Sequence, residues 1–189
     1  MDSSIINAVG FVHLHAHSAY SLREGALTIE SLAKFAKADE MPALAITDTN
    51  NLFGALEFSE KLASAGIQPI IGAQATVDFG DAPLTTSRLA EHKLARAPIV
   101  LLTQNETGYR NLMRLVSRLW LDPGDGDEPH VPFDALAGAE GLIALTGGPA
   151  GPIDDPLRRG MTEIAESRRR SGAERIAPSA TQSNASCAS

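Results

Sequence analysis

Three histidines stand within five residues near the start of the chain. They are His13, His15 and His17, and they directly follow the apolar pair Phe11 and Val12. Alternate residues of a β-strand share a face at a spacing of roughly 6.6 Å, so a strand here would line up all three imidazoles. Imidazole is the commonest protein ligand of zinc and similar ions. The pattern therefore predicts a metal site on a first strand.

The same histidines also suit a polar strand face in a cleft, where imidazoles are solvated or hydrogen-bonded without a metal. Residues 18–25 have the composition of a loop and follow the carboxyl end of the predicted strand. Ligand sites of α/β folds open at that end. Both interpretations thus place the histidines at a cleft.

The elements that must position the histidines alternate between apolar, β-leaning runs and helical patterns. This alternation is typical of βαβ units and of a parallel sheet. The predicted strands are 11–15, 43–47, 68–75, 99–103 and 141–146, and the predicted helices are 29–38, 52–65 and 106–120. Thr28 and Asn105 are the expected N-caps of the first and third helices. We expect 78–97 and 122–132 to be irregular surface segments.

Composition limits the classes of protein to which the chain can belong. Its 189 residues are 43% hydrophobic, which suits one domain of ordinary size. We find no run long enough to span a membrane and no signal peptide, and we expect a cytoplasmic protein. The single cysteine, Cys187, excludes an internal disulfide framework. Residues 1–165 carry 21 Asp and Glu against 12 Lys and Arg, which argues against direct nucleic-acid binding.

The last part of the chain changes character. Residues 166–189 contain three consecutive arginines and then a Ser- and Ala-rich stretch with almost no apolar content. Such a composition cannot build a core, and we expect a disordered tail or the product of a shifted reading frame. The predicted organisation is a lead-in over 1–10, one domain over 11–165 and this tail.

Five segments, in order, resemble the PHP (polymerase and histidinol phosphatase) domain that opens the α subunit of bacterial DNA polymerase III. They are residues 11–25, 45–58, 66–72, 108–112 and 141–148. The resemblance implies a distorted barrel of mainly parallel strands and helices with a metal cluster at the carboxyl ends of the strands. Only five strands are visible, so we expect an incomplete barrel in an amino-terminal fragment.

The resemblance also implies which residues stand at the metal-ligand positions of the family. Two first-motif ligands are retained as His15 and His17, with His13 one strand repeat earlier, and the usual aspartate of the following loop is Glu24. The second motif keeps Asp48. At four further positions the expected ligand is replaced, by Thr49, Gln74, Pro98 and Gly148.

These substitutions favour a degenerate domain with a structural and docking role. We expect at most one weakly bound divalent ion, zinc or manganese, at His15, His17 and Glu24, with His13 and Asp48 as weaker candidates. The partners implied by the resemblance are the proofreading exonuclease subunit and the other subunits of the polymerase III holoenzyme. The parent polymerase would hold Mg²⁺ on carboxylates that this chain lacks.

Two alternatives remain open at this level. A metal-dependent phosphoesterase or exonuclease of the PHP class would use the same five residues, with a metal-bound water as nucleophile. An unrelated amidohydrolase-like barrel also places His-x-His on its first strand, but it leaves the four later segment matches unexplained.

Overall fold

The computed structural model describes residues 10–80, 95–122 and 128–176, which form a mixed α/β fold. The helices are α1 (Ile29–Ala38), α2 (Ala55–Ala65), α3 (Glu106–Leu121), α4 (Asp154–Arg158) and α5 (Thr162–Ile176). The strands are β1 (Ala43–Ile46), β2 (Gln68–Asp78), β3 (Arg96–Thr103), β4 (Val131–Pro132) and β5 (Leu142–Leu145). Two short 3₁₀ helices cover Phe133–Leu136 and Gly148–Ala150. The predicted α/β class is confirmed.

The long strand β2 organises the sheet, whose order is β1-β2-β3-β5. The first part of β2 pairs parallel with β1, and its last two residues pair parallel with β4. Its second half pairs antiparallel with β3, which is also antiparallel to β5. The expected parallel pairing thus holds on one side of β2, whereas β3 runs against both neighbours. A local apolar pattern identifies a strand but does not encode its direction.

Alternation along the strands divides the core between the two faces of the sheet. One face packs against the helices in two clusters, of which Leu44, Ile46, Phe58 and Leu62 represent the first and Ala73, Leu101, Leu112 and Leu119 the second. The other face carries a smaller cluster of Ala45, Val100 and Leu102. The main hydrophobic core therefore lies between the sheet and the helices.

The helix starts follow the predicted caps. The Thr28 hydroxyl accepts a hydrogen bond from the Ser31 amide at 3.2 Å, and the side-chain oxygen of Asn105 accepts one from the Gly108 amide at 2.9 Å. Leu56, on the outer side of α2, is 71% exposed. Helix α2 begins three residues later than predicted, and Phe58 and Leu62 fill its buried side instead.

The predicted first strand, 11–15, does not form as a regular strand. Its backbone runs beside β1, and the carbonyls of His13 and Ala16 accept hydrogen bonds from the amides of Ala45 and Thr47 at 2.9 and 2.8 Å. The two acceptors are three residues apart and the two donors only two apart. This one extra residue acts like a β-bulge and breaks the alternation that would have put three imidazoles on one face.

The segment after residue 165 also differs from the expectation of a disordered tail. Helix α5 continues to Ile176, and it buries Ala165 and Arg168. The Arg168 guanidinium lies 4.4 Å from the centroid of the Phe79 ring, a cation–π contact that composition does not reveal. The expectations for 1–9, 81–94, 123–127 and 177–189 fall outside the described residues.

Strand β4 lies within the segment predicted to be irregular, and its Val131 is fully buried. A two-residue strand is too short for a periodic signal. None of the helices in the described ranges has both the length and the apolar character that a membrane crossing requires.

Candidate functional site

The site forms where the chain leaves the carboxyl end of β1 and continues beside β2. The backbone amide of Gln74 donates to the backbone carbonyl of Asp48 at 3.1 Å, and the backbone amide of Asn50 donates to the backbone carbonyl of Gln74 at 2.8 Å. These two hydrogen bonds create an isolated parallel bridge between Thr49 and Gln74. Two of the substituted ligand positions are therefore direct neighbours across the sheet.

Asp48 holds the loop that carries the rest of the site. Its buried carboxylate accepts hydrogen bonds from the amide and hydroxyl of Ser18, both at 2.7 Å, and from the hydroxyl of Ser21 at 2.6 Å. The loop closes tightly, because a Cβ on Gly25 would lie 1.9 Å from the Ser18 carbonyl oxygen. Both Asp48 oxygens are thus engaged by the loop.

Ser18 and Ser21 were not predicted as site residues. Both are buried, and they donate all three hydrogen bonds that the Asp48 carboxylate accepts from the described residues. Their only sequence signal is two small hydroxyl residues three positions apart directly after the histidines, a pattern common in ordinary turns.

The two histidines retained from the first family motif face one another. The Nε2 atoms of His15 and His17 are 3.1 Å apart, and the ring centroids are 5.0 Å apart. The side-chain oxygen of Gln74 lies 3.0 Å from the same Nε2 of His15. The structure therefore brings together His15, His17 and one substituted position.

Thr49 connects Gln74 to Glu24 on the other side of the site. The Gln74 amide group donates to the Thr49 hydroxyl at 3.2 Å, and that hydroxyl donates to the Glu24 carboxylate. Glu24 lies 3.8 Å from Nδ1 of His17, so it approaches the ring edge that faces away from His15. The carboxylate and the facing Nε2 pair are on opposite sides of the His17 ring.

The hydrogen bonds fix the protons on both rings. The Ser21 hydroxyl donates its proton to Asp48, so Nδ1 of His17 must donate to the Ser21 oxygen at 3.1 Å. Because the Gln74 amide group donates to Thr49, its carbonyl oxygen faces His15 and accepts from Nε2. His15 thus carries its proton on Nε2, and His17 presents an Nε2 lone pair.

The surroundings of His15 disfavour its charged form. Burial lowers the pKa of His15 below its usual value, and the neighbouring His17 lowers it further. The hydrogen bond to Gln74 and the charge of Glu24 act in the opposite direction but are weaker. His15 is therefore held neutral more strongly than a solvated histidine.

Three predicted residues lie apart from this network. His13 is exposed, and its ring contacts Phe11 edge to face at a centroid distance of 4.7 Å. Pro98 lies inside β3 opposite Thr76, and Gly148 begins a 3₁₀ helix. No hydrogen bond or ring contact of the described residues joins these three to His15 or His17.

The donor set fits one ion poorly and a multinuclear cluster not at all. Within the described ranges, no group of three or more His, Cys, Asp or Glu side chains is arranged to hold a metal ion. At the facing Nε2 pair the third oxygen belongs to Gln74, a neutral amide. An ion there would have to displace the proton that His15 donates to Gln74. A catalytic zinc usually needs three protein ligands and an open position.

Comparison with known proteins identifies the family of the chain. The family model of the PHP domain matches residues 13–180. The chain is 46% identical over 159 residues to DNA polymerase III subunit alpha of Caulobacter vibrioides, covering 82% of this chain and 13% of that protein. It is 41% identical over 165 residues to the subunit of the same name from Treponema pallidum, covering 86% of this chain and 14% of that protein.

Among solved structures, an amidohydrolase from Chromobacterium violaceum aligns with a TM-score of 0.43 and 25% identity, covering 57% of this chain and 32% of that one. The chain spans about an eighth to a seventh of the length of the curated relatives named above. With the family model matching across nearly the whole described domain, the chain belongs to the PHP domain family and is homologous to the N-terminal region of DNA polymerase III subunit alpha.

Proposed function

We propose that this PHP domain is a non-catalytic structural and docking domain of a replicative polymerase subunit. The observation that supports this role is the position of Gln74. Its amide oxygen accepts the Nε2 proton of His15 and its amide nitrogen donates to Thr49, so one neutral side chain links the two halves of the site. In family members with a metal cluster, the resemblance implies a carboxylate ligand at the position of Gln74 and an imidazole ligand at that of Thr49.

On this proposal, hydrogen bonds perform the cross-linking that a metal cluster performs elsewhere in the family. At most one divalent ion, zinc or manganese, binds weakly at His15 and His17, with the Gln74 oxygen beside it. Asp48 positions the loop through Ser18 and Ser21 and is not a ligand. Glu24 supports His17 from the other edge of its ring.

The competing function is a metal-dependent phosphoesterase or exonuclease, and the facing Nε2 atoms of His15 and His17 are the observation in its favour. The test uses the full chain, freed of metal and then supplied with Mn²⁺ or Zn²⁺. A chromogenic phosphate ester and end-labelled single-stranded DNA serve as substrates. His13→Ala is the control for His15→Ala, because His13 lies outside the network.

We expect no turnover that depends on His15. Tight, stoichiometric metal binding, together with turnover that is lost in His15→Ala and kept in His13→Ala, would establish the hydrolase instead. Elemental analysis of the metal-supplied protein gives the stoichiometry independently of the substrate chosen.

For the longer protein we propose template-directed DNA synthesis within a polymerase III holoenzyme, with Mg²⁺ held by carboxylates outside this chain. We further propose that this domain contacts the proofreading exonuclease subunit. The chain alone should then bind a purified bacterial exonuclease subunit in calorimetry, with or without a chelator, and should not extend a primer. Primer extension by the chain, or failure to bind the exonuclease subunit, would contradict these two proposals respectively.

A further inference from the structure

We propose that the outer face of α3 is a docking surface for an acidic, amphipathic segment of a partner protein. The surface, which we call the arginine face, lines a shallow depression of about 670 Å³. It consists of Arg110, Met113, Arg114, Ser117, Arg118, Leu121 and Asp122. Their spacing of three and four residues places them on one side of the helix, opposite the buried leucines of its core side.

Charge is the first argument for a partner. Arg110, Arg114 and Arg118 follow one another at intervals of four residues, about 6 Å along the helix axis. Like charges at this spacing slightly destabilise a helix, and the carboxylates of a partner would reduce that repulsion. The chain as a whole has a net charge of −7, so a stripe of three arginines on one helix face contrasts with its overall charge.

The pairing within the stripe shows where a partner would bind. Arg110 pairs with Glu106 and Arg118 lies 3.9 Å from Asp122, so each end has a carboxylate of its own. Arg114, in the centre, donates to the neutral side chain of Asn111 at 3.1 Å. No carboxylate in the described ranges pairs with Arg114, and its charge is available to a partner's carboxylate.

Apolar exposure is the second argument, and it separates a protein partner from a nucleic acid. Met113 is 40% exposed and Leu121 is 84% exposed, beside the arginines. Apolar groups gain nothing from a phosphate backbone, whereas they bury area against the apolar side chains of a protein segment. Arginine and methionine are enriched in protein interfaces. A helix with carboxylates beside leucine-like side chains complements both features.

The test measures binding of a defined probe to the full chain by fluorescence anisotropy at low salt. The probe is a labelled helical peptide of about 18 residues, with Glu at four-residue intervals and Leu beside them. A version with Lys in place of Glu and a labelled single-stranded DNA are the comparison ligands. The test variant reverses all three charges of the stripe: Arg110→Glu, Arg114→Glu and Arg118→Glu.

A matched control makes the same change of net charge on α1 and α2, with Lys34→Glu, Lys37→Glu and Lys61→Glu. All six side chains are exposed, so both variants should fold, and their thermal unfolding verifies this. We expect the arginine variant to bind the Glu peptide at least about tenfold more weakly, since each exposed charge pair contributes a few-fold. The control should change binding less than about threefold.

A second variant, Met113→Ser with Leu121→Ser, leaves the charge unchanged and should weaken binding about threefold or more through lost apolar contact. Equal losses in the arginine and control variants would mean nonspecific attraction and would overturn the proposal. Preference for the DNA over the Glu peptide would also overturn the proposal and would indicate a nucleic-acid partner. If the chain associates with itself and the arginine variant does not, the occupant is a second copy and the proposal is wrong. Absence of binding to the Glu peptide would also refute it.

Discussion

Replacing Asp48 by alanine should be among the most destabilising single changes in this domain. The buried carboxylate accepts three hydrogen bonds, from the amide and hydroxyl of Ser18 and the hydroxyl of Ser21, at 2.6 to 2.7 Å. A hydrogen bond to a charged group contributes about 1.5–3 kcal/mol, and a buried donor left without a partner costs a similar amount. Since the two hydroxyls can turn towards other acceptors, we take the lower value for each of the three hydrogen bonds and expect a loss of about 4.5 kcal/mol.

That loss is a large share of the stability of an ordinary domain, about 5–15 kcal/mol. Asp48→Asn should cost only about 1–2 kcal/mol. The asparagine oxygen can still accept from the Ser18 amide and from Ser21, and the Ser18 hydroxyl can reverse its hydrogen bond. Asp39→Ala, at an exposed position after α1, should change stability by less than about 0.5 kcal/mol and serves as the control.

Urea denaturation followed by circular dichroism measures all three free energies of unfolding, and unchanged m-values validate the comparison. A loss below about 1 kcal/mol for Asp48→Ala, or equal losses for the alanine and asparagine variants, would refute the assignment of Asp48 as the anchor of the 18–25 loop.

Three further predictions follow from the same site. Because the pKa of His15 is lowered on folding, the unfolded chain binds more protons there, and the melting temperature should fall as the pH drops below about 6.5; His15→Asn should flatten this decline, while His13→Asn should not. Gln74→Glu puts a carboxylate beside the Nε2 pair, so Zn²⁺ should raise the melting temperature of this variant more than that of the unchanged chain; an equal rise in both would contradict the proposed role of the neutral amide. Gly25→Ala should destabilise the domain by at least about 2 kcal/mol in urea, because its Cβ would overlap the Ser18 carbonyl oxygen, whereas Gly172→Ala in open space on α5 should not destabilise it.

Much of the fold could be predicted because the strongest local signals act within single elements. Helix α3 begins at the predicted residue, since the Asn105 cap and the buried leucines depend only on helical spacing. The direction of β3 could not be predicted, because pairing partners lie far away in sequence. The cation–π contact of Arg168 has the same origin: it depends on Phe79, nearly ninety positions earlier in the chain.

Some members of the candidate site could be predicted, but Ser18, Ser21 and the connections between the residues could not. His15, His17 and Glu24 lie where the first motif indicated, and Gln74 and Thr49 lie beside them. A single extra residue between two backbone hydrogen bonds removes His13 from the group, and no local pattern announces such an insertion. The prediction that all three histidines share one face depended on an unbroken strand.

The contact between α5 and the sheet determines where the domain can be cut. Phe79 and Phe133 stack at 4.9 Å, and the guanidinium of Arg168 covers the Phe79 ring. An expression boundary at residue 165, where the composition changes, would remove that cover and leave an aromatic pair open to water at the edge of the fold. Polypeptides ending there should aggregate during purification, while those extending through α5 should stay monodisperse.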